Sequence, residues 1–118
     1  MDITINEKDI TLNFGLDFIA YLDDKFSIAQ NGIKLGLGVQ QAYTQLMTGS
    51  PLIILDIIKA GQLNSKVKAS EKEIKAFIEN NDDLDGLFDD FLSAFETSSL
   101  TKKTANQMKE SMNQAMTE

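Results

Sequence analysis

The chain has 118 residues, enough for one domain with its own core, a net charge of −7, and no cysteine, histidine, tryptophan or arginine. Without thiols or imidazoles there is no nucleophile–histidine relay and no zinc site of the usual nitrogen–sulfur kind, and without arginine no bidentate fork for phosphate, carboxylate or guanine. The acidic balance repels nucleic acid, and the longest apolar stretch, Leu52 to Ile58, is broken by Asp56 and too short to cross a bilayer.

Ile3-Thr4-Ile5 and Ile10 to Phe14 alternate apolar and polar on a period of two around a turn at Asn6 to Asp9. This predicts a β-hairpin with Ile3, Ile5, Ile10, Leu12 and Phe14 on one face, and a lone ribbon must lay that face on helices or on another strand. From Gly15 the period changes, and Leu16, Ile19, Leu22 and Phe26 mark a first helix. Phe18 flanks its stripe, and Asp17, Asp23, Asp24 and Lys25 face out. Residues 27–38 contain Asn31-Gly32, Gly36 and Gly38 and read as a loop of tight turns with a short extended piece at Ile33 to Leu35. Val39, Ala42, Tyr43, Leu46 and Met47 predict a second helix, stopped at Gly49. Ser50-Pro51 then supplies an N-cap and a first-turn proline for a third helix running to about Ala60. That helix is apolar almost all round, so it is the buried centre of the domain or part of an oligomer contact. The core reading is favoured because such a helix needs cover on every side.

Gly61 to Ala69 is a polar, lysine-bearing connection, and Ser70-Glu71-Lys72-Glu73 is a capping box that opens a fourth helix with Ile74, Phe77 and Ile78 on its apolar edge. Asn80-Asn81-Asp82 breaks that helix and caps a fifth. Here Leu84, Leu87, Phe88, Phe91, Leu92 and Phe95 fall at the spacing of one helix face. The same stretch concentrates the charge: residues 76–101 hold seven carboxylates and no lysine. Beyond it, Leu100, Ala105, Met108, Met112 and Met116 form a thin helical stripe in an otherwise polar segment. The expected fold is α+β and mostly helical. An N-terminal β-hairpin and about five helices make a single domain over residues 1–101, followed by a polar tail, residues 102–118, expected to be a mobile or conditionally folded helix.

Few motifs carry chemistry. Asn81-Asp82-Asp83-Leu84-Asp85-Gly86 imitates the first half of a calcium loop, but the twelfth position, where a bidentate glutamate is needed, is Leu92. Gly36-Leu37-Gly38 lacks the third glycine of a dinucleotide loop, which is replaced by Gln41, and reads as a flexible turn. The paired aspartates, Asp23-Asp24, Asp82-Asp83 and Asp89-Asp90, are neighbours about 100° apart on a helix, so they form solvated faces and not acid–base dyads. Methionine is pliable and common at surfaces that take varied apolar partners, and three of the five lie in the last eleven residues. The expectation is therefore no catalytic, metal or cofactor site. The candidate partner-binding or oligomer face is Leu84, Leu87, Phe88, Phe91, Leu92, Phe95, Met108 and Met112.

Several pieces also recur in a set order over nearly all of residues 2–101. They are the hairpin Ile3 to Asn6 with Ile10 to Gly15, the Leu22 to Phe26 helix ending, Gln30-Asn31-Gly32 with Gly36-Leu37-Gly38, the Gly49-Ser50-Pro51 joint, and Asp82-Asp83-Leu84 running into Leu87-Phe88-Asp89. In this order and spacing the chain resembles the tail assembly chaperones of long-tailed phages, particularly those of phages and prophages of low-GC Gram-positive bacteria. The resemblance implies a non-enzymatic protein that binds the long, apolar-helix-rich tape measure protein in the host cytoplasm and keeps it soluble until tail tube subunits polymerise around it. It further implies a longer, frameshifted product that recruits the tail tube protein, this chain being the short product. A homo-oligomer is also expected, with the third and fifth helices forming the core and an oligomer or client surface. Neither nucleic acid nor membrane is expected as a partner. Two rival readings are an acidic phage-encoded inhibitor that mimics DNA, against which eleven lysines and the confinement of the excess charge to one helix argue, and a small structural component of the tail.

Overall fold

The N-terminal alternation folds as an antiparallel hairpin in which β1 (Asp2–Ile5) pairs with β2 (Lys8–Thr11), Ile3 opposite Ile10 and Ile5 opposite Lys8. The turn is two residues long, not four. Asn6 and Glu7 both hold positive φ, 51° and 63°, as a tight turn that follows the twist of the strands requires. The computed structural model describes residues 1–30 and 33–117, with the side chains of all but 28–30, 33–35 and 115–117. Ile3, Ile5, Ile10 and Leu12 are buried, and Phe14 packs edge-on to Phe18 at 4.7 Å between ring centres.

The helices follow as α1 (Leu16–Lys25), α2 (Gly38–Met47), α3 (Pro51–Gly61), α4 (Glu71–Glu79), α5 (Leu84–Thr97) and α6 (Lys102–Thr117). Between α1 and α2 the expected loop is a second antiparallel hairpin, β3 (Ser27–Gln30) with β4 (Ile33–Gly36). The extended piece expected at Ile33 to Leu35 is part of β4, while the glycines are not loop residues: Gly36 ends that strand and Gly38 begins α2. The Asn31-Gly32 pair lies outside the described residues. In α1 the buried residues are Phe18 and Leu22, whereas Leu16, expected on the stripe, is 75 % exposed. The difference arises because Phe18 is drawn into an aromatic group with Phe14 and Phe95.

Gly38 is not part of a flexible turn. A Cβ there would fall inside the backbone carbonyl carbon of Leu22 and the amide nitrogen of Asp23, so its absence lets α2 start directly against α1. Asp23, expected to face solvent, accepts the Gly38 N–H on its Oδ1 at 2.8 Å and so caps α2 from a neighbouring helix. Lys25, also expected to face out, pairs at 2.9 Å with Asp56, the buried acid in the middle of α3. That contact explains how an otherwise apolar helix tolerates a carboxylate.

At the centre of the fold α3 buries Ile53, Ile54, Ile57 and Ile58 and packs on α1, α2 and α4. Gly49, at φ 77°, ends α2 as expected, while the Ser50 side chain makes no capping bond and Pro51 occupies the first turn. The long connection to α4 is held by Gln62, whose amide exchanges two buried hydrogen bonds with the backbone of Ala69 at 2.8 and 2.9 Å. The capping box of α4 forms in full: Ser70 Oγ accepts the Glu73 N–H, and Glu73 accepts the Ser70 N–H. At the start of α5 the calcium-like stretch is a helix cap, Asp83 accepting the Gly86 N–H at 3.0 Å while Asn81 accepts that of Asp83. Finally α6 lies on α2 and α5, with Thr101 and Ala105 fully buried and Thr101 Oγ1 donating to the Phe95 carbonyl at 2.7 Å.

Candidate partner-binding surface

The structure divides α5 into two apolar rows and an acidic back. Leu87, Phe91 and Phe95 point inward and are buried, Phe95 lying 5.7 Å from the ring of Phe18 and 6.3 Å from that of Tyr43. Leu84, Phe88 and Leu92, one position round the helix, are only half-buried at the edge of the core. On the neighbouring α6, Met108 also packs at the core edge and Met112 is half-buried. Three of the eight residues expected to form a partner face are thus interior, and the other five remain partly accessible on two adjoining helices. Asp82, Asp83, Asp85, Asp89 and Asp90 are all exposed, so the carboxylates form a solvated surface as their spacing predicts.

Glu96 departs from that pattern. It accepts the Tyr43 hydroxyl proton at 2.8 Å and faces the Lys109 ammonium at 3.4 Å, which ties α5 to α2 on one side and α6 on the other. Burial, and then the hydrogen bond to Glu96, push the Tyr43 phenol well above its usual range, so it remains a donor.

A second apolar surface, which periodicity did not single out, lies between α3 and α4. Leu52 is 74 % exposed, and with Pro51, Leu55 and Ile78 it lines a groove of about 210 Å³ rimmed by Lys75 and Glu79. The signal was present in the sequence: α3 is apolar almost all round, and packing on α1, α2 and α4 covers all but one row, on which Leu52 is exposed and Leu55 half-buried. On the far side of α4 is a larger groove of about 550 Å³, lined by Ala76 and Phe77 and reached by Asn6 from the first hairpin and by Glu73. Glu73 there accepts bonds from the Ser70 N–H, the Asn6 amide and Lys8, and these donors hold its carboxyl down to about 2.

Among the described residues no group of three or more acidic side chains converges as a metal site, and every buried side-chain nitrogen and oxygen has a hydrogen-bond partner. Among the described residues no helix is long and apolar enough to cross a membrane. The arrangement is one of apolar rows beside solvated charge, which suits binding.

Compared with known proteins, residues 2–110 match the family model described as phage tail assembly chaperone protein, TAC. The match extends from β1 into α6. No curated protein and no solved structure matches the chain.

Proposed function

Because the chain belongs to the phage tail assembly chaperone family, whose members are not enzymes, we propose that it binds the tape measure protein in the host cytoplasm and keeps that client soluble until tail tube subunits assemble around it. The observation that supports this reading is the two-sidedness of α5. Leu84, Phe88 and Leu92 stand half out of the core while Asp85, Asp89 and Asp90 stand in solvent on the same helix. A holdase needs both: apolar area to cover the helices of its client, and charge to keep the complex dispersed. Met108 and Met112 on α6 extend the apolar side with pliable side chains. The interior row, Leu87, Phe91 and Phe95, acts indirectly by fixing α5 to the core. The chain works as a homo-oligomer, and a longer frameshifted product carries the contact to the tail tube protein.

The experiment is affinity capture of the tape measure protein by the tagged chain, compared with a Phe88→Asp/Leu92→Asp variant. Capture by the native chain and roughly tenfold less by the variant, with unchanged helicity, is the expected result. Equal capture by both would remove the α5 row from the binding surface.

A further inference from the structure

We propose that the junction of α2 and α5 beneath α6 is a helix-binding site, which α6 fills in the free chain and which a basic amphipathic helix of the client takes over by displacing it; this rests on the proposed function and assigns the client a groove and a chemistry. α6 lies on both α2 and α5, which also pack on each other, so it covers the line where they meet. It is held there lightly. Within residues 102–114 Ala105 is the one buried side chain, Thr104, Met108 and Met112 are half-buried, and the rest are exposed. By contrast, α3 is fixed by four fully buried isoleucines. The polar ties of α6 are exposed too: Asn106 donates to the Glu96 carbonyl at 3.3 Å, and the Lys109 ammonium stands 3.4 Å from the Glu96 carboxylate. Elements with few buried apolar contacts and exposed hydrogen bonds open at low free-energy cost. Thr101, buried and bonded to the Phe95 carbonyl at 2.7 Å, keeps α6 attached at its start while the rest lifts away.

The way α6 sits defines what can replace it. Among the helices of the described residues α6 is the one with a positive balance, three lysines against one glutamate, and it lies against α5, which holds four carboxylates and no lysine. Glu96 makes this match specific. Its Oε2 accepts the Tyr43 hydroxyl proton at 2.8 Å, which anchors the carboxylate at the junction, and its Oε1 is turned to Lys109. The helix that fits therefore carries a small residue in the place of Ala105, an apolar residue three positions on in the place of Met108, and a cation next to it in the place of Lys109. A client helix that is apolar also where α6 has the half-buried Thr104 gains more from the junction than α6 does. The tether sets a threshold: an attached segment competes at a local concentration on the order of millimolar, so a helix enters only if its affinity for the junction exceeds that of α6 by enough to offset this. In this way α6 closes the site to weakly apolar helices and yields it to the client.

The test measures the full chain with the tape measure protein, by hydrogen exchange and by capture affinity. On binding, the amides of α6 are expected to exchange faster while those of α2 and α5 are slowed; slower or unchanged exchange in α6 would overturn the proposal. Ala105→Asp puts a charge where α6 meets the core and should release the helix, so this variant is expected to capture the client roughly tenfold more tightly than the native chain, with α1 to α5 keeping their exchange protection. Lys109→Glu sets two carboxylates against each other at the exposed side of the contact, loosens α6 without touching the core, and should tighten capture by about threefold. A helix that only stabilises the fold predicts the opposite sign, so capture unchanged or weakened in Lys109→Glu overturns the proposal even if Ala105→Asp fails to fold. In that case capture by the native chain leaves the chaperone reading standing, whereas no capture by any form removes both.

Discussion

Glu73 shows how much one carboxylate does in this fold. It closes the capping box of α4 and also receives Asn6 and Lys8 from the first hairpin, so the two ends of the domain's first half are joined at one side chain. Its folded pKa of about 2 lies below the ordinary value of 4.5. The stability it contributes is therefore present above about pH 4.5 and is lost as the pH falls through 4.5 towards 2. Glu73→Gln should be less stable than the native chain near neutral pH, and the gap should close over that window when urea midpoints are compared at descending pH. A gap that stays constant into acid would show that the carboxylate charge is not what matters. The capping half of this role is legible in the spacing Ser70 to Glu73, because it is local. The hairpin half joins residues more than sixty positions apart, and no periodicity reports such a contact. The same holds for Asp23, Lys25 and Glu96: each reads as a solvated charge in sequence, and each is instead tied to another helix.

At the scale of the elements, apolar spacing located the first hairpin and the helices, since each has a face to bury and a cap or glycine to mark its end. It placed an extended piece where β4 lies but not β3 or their pairing, because the strands are only four residues long and the glycines around β4 resemble loop punctuation. Nor could it separate the two rows of α5, because offsets of three and four place Leu87 and Phe88 on one broad face, and only the packing of Phe14, Phe18 and Tyr43 decides which row is covered. The close start of α2 against α1 is a further feature of packing alone. Gly38→Ala should destabilise the fold by about 3 kcal/mol, because the added methyl meets backbone atoms of Leu22 and Asp23 that cannot rotate away. Gly15, where a Cβ would meet nothing within 4 Å, provides the control: Gly15→Ala should cost far less by the same denaturation measurement. Equal losses at both sites would mean that the α1–α2 contact does not depend on the missing Cβ.

For the whole molecule, the absence of thiol, imidazole and guanidinium excluded most chemistry before any fold was known, and the ordered hairpin, glycine and Ser-Pro pieces pointed to the family. The surfaces were harder to read. A core and a binding face use the same residue types, and only the fold shows that Phe91 and Phe95 are interior while Leu52 is not. The charge excess is placed to match the proposed work: the acids of residues 82–90 face solvent, away from the apolar rows, so a complex with an apolar client retains a strongly charged exterior. The most direct measurement is the soluble fraction of the tape measure protein, expressed in the same cells with and without this chain and separated by centrifugation of the lysate. The account predicts that the client moves from the pellet to the supernatant when the chain is present and co-elutes with it on gel filtration. A client equally soluble and intact without the chain would contradict it.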